Sequence, residues 1–312
     1  MNNLIERHYD YVLGPNQDKR LASVAAGASF ELSLYLDTDA PFALRSRAMR
    51  VSYDANRYQA YLNSLLLRWA GPDRQFFSQD FVRQSLLGPY FGQLGNPLPV
   101  YPQVVYPRGA EVRVGILNDG AHALTNLTLY FRGVKLFAPG AVRSYSYPAN
   151  VGLLPYIYPQ GLHSNIDGTT LVRNVAVTQA PLRQTFACKP DADFVLRAGQ
   201  AGLPFSTTPV NEVFARLMDE DEKPYSNDAV HIDVLFGNSA FGPTYFPFGA
   251  SGSVPVTPVG TGPNSPGLFY PEIYVPKNHL MYMDVSRADA AYAGAVAVDL
   301  PVQFIGQKVF QK

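Results

Sequence analysis

Carboxylates stand in close groups at three places: Asp37 and Asp39 in "DTD", Asp191 and Asp193 in "DAD", and the run from Asp219 to Glu222 in "DEDE". Spacing by two puts both carboxylates of a pair on one side of an extended segment, where added carbonyl oxygens would complete a calcium site. No EF-hand loop or repeated Asp-Gly pattern accompanies them, so charged turns between strands are expected instead. Glycosidase-type hydrolysis needs two carboxylates facing each other across a cleft. Asp37 and Asp39 are the pair to test for such a hydrolase.

The five histidines, His8, His122, His163, His231 and His279, are scattered, and none forms the His-x-His pair that a cupin metal site requires. In "AVHIDVLFG" the alternation of Val230, Ile232, Val234 and Phe236 predicts a strand, with His231 and Asp233 on its solvated face. There is no Gly-x-Ser-x-Gly elbow and no Walker loop. The "GTG" at Gly260 to Gly262 follows "VPVTPV" and does not open a helix, and "NLT" at Asn126 is only a formal glycosylation sequon. The sequence therefore assigns no catalytic, cofactor-binding or metal-ligating residue, and no cofactor is expected.

Composition narrows the field further. Lys plus Arg equals Asp plus Glu at 25 each, so no net field draws the chain to nucleic acid or to an anionic membrane. Arginines and lysines are dispersed, and the Tyr-rich tracts carry few basic neighbours, unlike a single-strand stacking platform. The single cysteine, Cys188, excludes an intrachain disulfide framework and is expected as a small buried hydrophobe. No apolar run approaches the ~18 residues of a membrane span, and "MNNLIERHYDYVLG" lacks the apolar core of a signal peptide, so synthesis in the cytosol is expected. Only 16% of residues are charged, whereas Tyr (20), Phe (19), Pro (26) and Gly (25) abound, a balance that suits strands joined by turn-rich loops.

Three blocks occur twice, in the same order. "DAPFALR" (39–45) answers to "DADFVLR" (191–197), pairing Asp39, Phe42, Leu44 and Arg45 with Asp191, Phe194, Leu196 and Arg197. "VYPQVVYPR" (100–108) answers to "FYPEIYVPK" (269–277), and Phe131, Gly133, Lys135 and Phe137 answer to Phe304, Gly306, Lys308 and Phe310. Order is kept while spacing varies with the loops, as a duplicated domain requires. Val112, Val114 and Ile116 share one face of a strand, and Leu127, Leu129 and Phe131 share one face of another that meets Gly133, where a bulge is expected. Pro102 with Pro107, and Pro271 with Pro276, belong to extended edge segments or to the loop before a strand, and together predict a sandwich edge.

Between these blocks the halves look different. In "SQDFVRQSLLG" Ser78 is placed to cap a short helix that turns Phe81, Val82 and Leu86 inward before Gly88. "YLNSLLLRW" fits helical spacing through Tyr58, Leu62, Leu65 and Trp69 without excluding a strand. The Gly/Pro-rich tract 238–267 reads as a long loop suited to covering a neighbour. The sequence thus predicts an all-β chain of two tandem antiparallel β-sandwiches arising by duplication, with short helices and long loops. Residues 1–26 are read as an N-terminal arm, 27–137 as the first sandwich, 138–168 as a Pro/Tyr-rich linker and 169–312 as the second sandwich.

The succession D-x-x-F-x-L-R, Y-P-x-x-x-x-P and F-x-G-x-K-x-F resembles jelly-roll structural proteins of bacteriophage virions, those of capsids, vertices and capsid attachments. The resemblance covers about half the chain. It implies an eight-stranded sandwich fold and a non-enzymatic virion protein made in the host cytoplasm. Its expected partners are further copies of itself, as a symmetric homo-oligomer, and other virion proteins, with no specific nucleic acid and no small-molecule ligand. The alternative is a tandem carbohydrate-binding module in which Trp69 or a loop tyrosine such as Tyr245 stacks on sugar rings.

Overall fold

The computed structural model describes residues 4–50, 64–83, 98–142, 151–160, 172–175, 181–201, 213–235, 267–287, 298–300 and 302–311. They fall into two compact units, drawn mainly from Met1–Phe91 with Pro97–Val142 and from Arg143–Pro247 with Val254–Lys312. No helix among the described residues is long and apolar enough to cross a membrane.

The first unit contains β1 (Ile5–Leu13), β2 (Ser23–Val24), β3 (Ser29–Tyr35), β4 (Phe42–Arg50) and β5 (Leu65–Trp69). It continues with β6 (Val82–Arg83), β7 (Leu98–Tyr106), β8 (Glu111–Asn118), β9 (Leu124–Thr125) and β10 (Thr128–Phe137). They form two four-stranded sheets, β1-β10-β4-β7 and β3-β8-β5-β6, plus the small pair β2-β9. Setting that small pair aside, strands distant in sequence alternate within each sheet, which is the winding of a jelly roll. Alternation explains the burial: Val112, Val114 and Ile116 of β8, Leu65, Leu67 and Trp69 of β5, and Phe42, Leu44 and Phe131 of the other sheet are all buried, and Arg47 of β4 lies over the Trp69 ring. Burying each such side chain contributes roughly 1.5–3 kcal/mol.

The second unit repeats this plan strand for strand. It contains β11 (Val151–Gln160), β12 (Val172–Val175), β13 (Leu182–Ala187), β14 (Asp193–Ala201), β15 (Val213–Met218) and β16 (Val230–His231). A single helical turn α1 (Ile232–Leu235) precedes β17 (Gly267–Val275), β18 (Leu280–Arg287), β19 (Val298–Leu300) and β20 (Val302–Gln311). The sheets run β11-β20-β14-β17 and β13-β18-β15-β16, with β12-β19 in the place of β2-β9. Phe186 of one sheet meets Phe304 of the other edge to face at 5.3 Å. β7 and β17 are edge strands in both units, as their prolines require.

Several expectations need correction. Residues 5–13, expected within an arm, form β1 and pair along their whole length with β10, because Tyr9, Tyr11 and Leu13 bring an apolar alternation to the sheet edge. Within the supposed linker, residues 151–160 form β11, paired end to end with β20. The helix expected after Ser78 is not formed where the chain is described. Val82 and Arg83 instead pair with Leu67 and Leu66, since a partner strand satisfies their backbone better than one isolated helical turn. Leu86, Gly88, Tyr58 and Leu62 lie outside the described residues, while Leu65–Trp69 is a strand. His231 is fully buried against Phe214, with ring centroids 5.3 Å apart, and the chain turns helical directly after it, so His231 does not lie on a solvated strand face; Phe236 lies outside the described residues.

The halves are also more alike than the sequence shows. The turn after β5 joins Gly71 N to Gln75 O and places Arg74 at φ 65°, while the turn after β15 joins Asp219 N to Lys223 O with Glu222 at φ 58°. Hardly a residue type is shared between these turns; the backbone path is what recurs.

Candidate functional site

The recurring blocks meet in space. In each unit the residue block containing D-x-x-F-x-L-R forms the start of a strand, β4 or β14, that pairs antiparallel with the F-x-G-x-K-x-F strand, β10 or β20. Lys135 lies opposite Phe42 and Lys308 opposite Phe194, so each lysine reaches the aspartate that precedes its partner strand. Lys135 Nζ donates to Asp37 Oδ2 at 2.6 Å and to Asp39 Oδ2 at 3.0 Å. Lys308 Nζ donates to Asp191 Oδ2 at 2.5 Å. Both lysine side chains are buried, at 5% and 6% exposure, while their aspartates stay about half in water.

Lys135 also stands over the Tyr9 ring, 3.8 Å from its centroid, with Tyr11 at 5.8 Å. The Asp37 N–H donates to Tyr11 Oη at 2.9 Å, tying the β3–β4 loop to β1. Burial opposes ionisation of Asp37, but the Lys135 hydrogen bond and charge, helped by Tyr9 and Tyr11, outweigh it and hold the carboxyl below its ordinary value. The Lys308 hydrogen bond lowers Asp191 in the same direction. The cation that "DTD" spacing could accept is thus supplied by the chain's own ammonium.

Because lysine is the dry partner and the aspartates are the wet ones, the two sides of this pair should respond unequally to mutation. Lys135→Met leaves two hydratable carboxylates and is expected to cost less than about 1 kcal/mol, whereas Asp37→Ala with Asp39→Ala strands a buried ammonium and should cost about 3 kcal/mol. Urea titrations of both variants check this; equal losses would show that lysine is not the buried member.

Glycine is required one step away. A β-bulge at Arg45 in β4, and at Arg197 in β14, shifts the register beside Gly133 and Gly306. There a Cβ on Gly133 would run into the carbonyl oxygen of Ala43 and the Phe42 ring, and one on Gly306 into the carbonyl of Val195 and the Phe194 ring. The aromatic of one block fills the space that the glycine of the other leaves.

On the opposite face of β1 and β10, Arg132 Nε and Nη2 donate to Asp10 Oδ1 and Oδ2 at 3.0 and 3.1 Å, with His8 Nε2 3.3 Å from Asp10. Asp10 and Arg132 are 2% and 6% exposed. Burial works against the Asp10 carboxylate, but the Arg132 charge, then that of His8, bring its pKa down to about 2. This fork is a buried ion pair that ties β1 to β10.

The remaining candidates are also engaged. Asp193 accepts from Tyr274 Oη at 2.5 Å and from the Lys277 N–H at 2.8 Å. In the "DEDE" run Asp219 Oδ1 accepts the N–H groups of Asp221 and Lys223, Glu222 pairs with Arg183, and Glu220 pairs with His279, so the expected charged turn is present. Cys188 is buried at 3% exposure. Among the described residues no group of three or more His, Cys, Asp or Glu is placed to hold a metal ion.

Trp69 cannot serve as a sugar platform as the alternative reading requires: it is 9% exposed and the Arg47 guanidinium covers its ring at 3.4 Å from the centroid. Burial also brings the Arg47 pKa down to about 10. Tyr245 and His163 lie outside the described residues. Sequence reading missed the roles of Tyr9 and Tyr11. The signal was there as Y-x-Y, since Tyr156 and Tyr158 occupy the matching register positions opposite Gly306 and Phe304.

No protein-family model and no curated protein sequence matches the chain. Among solved structures it is similar to a peptide-N(4)-(N-acetyl-β-D-glucosaminyl) asparagine amidase, at 7% identity over 96% of both chains with a TM-score of 0.25. A chain from the atomic structure of Sulfolobus Turreted Icosahedral Virus aligns at 10% identity over 96% of this chain and 90% of that one, TM-score 0.24. The CBM22-1–CBM22-2 tandem domain of a Paenibacillus barcinonensis protein aligns at 7% identity over 98% of both, TM-score 0.19. Likeness this weak favours none of the three, and the functional reading rests on the chain's own residues.

Proposed function

We propose that the chain is a non-enzymatic structural protein of a bacteriophage virion, a double jelly-roll capsid protein or a capsid decoration, vertex or neck protein, that assembles with copies of itself. The observation that carries this reading is the jelly-roll winding laid down twice in one chain, with the same lysine, aspartate, glycine and phenylalanine fastening each copy. The acidic pairs, the natural candidates for hydrolysis or metal binding, are engaged in that fastening or in turns. A neutral net charge suits a protein that meets protein and not a polyanion.

The test is assembly. Purified protein is expected to sediment as a symmetric oligomer or to form particles visible by electron microscopy, or to bind virions lacking it. A protein that stays monomeric at high concentration and also fails to bind virions would sink the proposal.

A further inference from the structure

We propose that the Asp10–Arg132 fork sorts strands during folding: it reserves the edge of β10 for β1 and turns away β11, the like strand of the second unit, which the chain brings to that edge more readily.

Duplication leaves the chain with two strands that fit one place. Tyr9 and Tyr11 of β1 lie opposite Gly133 and Phe131 of β10, and Tyr156 and Tyr158 of β11 lie opposite Gly306 and Phe304 of β20, in the same antiparallel register. Pro155 and Pro159 already occupy that register on β20, so their missing N–H groups do not bar β11 from β10. Connectivity favours the wrong pairing. Residues 138–150 alone separate β10 from β11, whereas residues 14–127 separate β1 from β10 and residues 161–301 separate β11 from β20. Loop-closure entropy by itself therefore favours β11 over β1 at the edge of β10 by roughly 25-fold. In N- to C-terminal synthesis β11 is also made long before the β20 that should receive it.

Charge separates the two strands at one buried position. Where β1 places Asp10 opposite Arg132, β11 places Ile157 opposite Ile305. On β10, β11 would set Ile157 against Arg132 and take away the carboxylate that accepts from both Nε and Nη2 of the buried guanidinium. Glu6, which Leu153 replaces, also pairs with Arg45 at 3.0 Å, but both side chains are partly in water and discriminate little. The second unit does without an ion pair at this register position, so the fold does not require one. Breaking a buried pair is strongly destabilising, whereas replacing both partners by apolar side chains is not; what the pair adds is a preference between two look-alike strands.

Disulfide trapping in the full chain, with Cys188→Ser throughout, tests the sorting. Leu136→Cys with Glu6→Cys reports β1 on β10, because those positions are register partners, and Leu136→Cys with Leu153→Cys reports β11 on β10, because Leu153 holds the place of Glu6. Each chain is unfolded in urea, refolded under mild oxidation and digested, and its disulfides are quantified by mass spectrometry. With the fork intact the crossed disulfide is expected in fewer than about one chain in ten, since a stranded buried charge weighs more than roughly a hundredfold against the advantage of proximity. Asp10→Leu with Arg132→Met should raise it at least about fivefold by removing that penalty. Ile157→Asp should raise it as well, because it offers Arg132 a carboxylate from β11 while leaving Asp10 and Arg132 in place. If the apolar variant does not refold, Ile157→Asp decides alone. A crossed disulfide as rare in the variants as in the parent overturns the proposal, as does one that dominates in the parent.

Discussion

Gly133→Ala is expected to destabilise the first unit by at least about 3 kcal/mol, and Gly306→Ala to do the same to the second. The methyl group added at either site meets a backbone carbonyl of the neighbouring strand and the ring of Phe42 or Phe194. A flexible side chain can swing aside; a carbonyl in a sheet ladder cannot, so the strands must part or the bulge must be lost. Gly115→Ala is the control, because the atoms its Cβ meets belong to the side chains of Arg68 and Phe81 on the solvent face. The chain supplies its own reporters. Trp69, the single tryptophan, lies in the first unit, and Cys188, the single cysteine, is buried in the second. Gly133→Ala should lower the urea midpoint of tryptophan fluorescence, and Gly306→Ala should speed thiol labelling. A midpoint for Gly133→Ala matching that of Gly115→Ala would remove the close-approach argument.

That glycine explains what the sequence revealed and what it withheld. The blocks that recur visibly are those in which one residue type alone fits: glycine under a carbonyl, phenylalanine over glycine, lysine beside an aspartate. Alternation exposed β8 and β10 for the same reason, since a strand buried on one face must repeat every second residue. The turns after β5 and β15 went unseen because a backbone path with one residue at positive φ can be filled by Arg74 or by Glu222. β1 and β11 look like arm and linker in the sequence because sheet membership at an edge depends on a partner more than a hundred residues away. His231 looks solvated there because two alternating residues do not reveal that the chain bends immediately after them.

Asp10→Asn should cost the first unit about 3–5 kcal/mol, since it preserves shape while leaving the Arg132 guanidinium buried without its counter-charge. Replacing both partners, with Asp10→Leu and Arg132→Met, should restore much of that loss, because the desolvation penalty of both ions disappears with them. Acid probes the same pair. In the folded chain Asp10 titrates at about 2, below its ordinary 3.8, so between those values the unfolded chain binds the extra proton. Stability is therefore fully present above about pH 4 and falls as pH drops toward 2; at about 1.4 kcal/mol for each tenfold difference in proton affinity between the folded and unfolded chain, the loss is roughly 2 kcal/mol. Asp37, also held below its ordinary value, adds to the first unit's loss in the same direction, and Asp191 acts likewise in the second unit. Urea midpoints measured by tryptophan fluorescence from pH 5 to pH 2 should fall steeply in the parent and less steeply in Asp10→Asn, which has no proton to take up at that site. Parallel slopes would mean that the Asp10–Arg132 pair does not govern the acid response, and that its burial is balanced by groups other than these two.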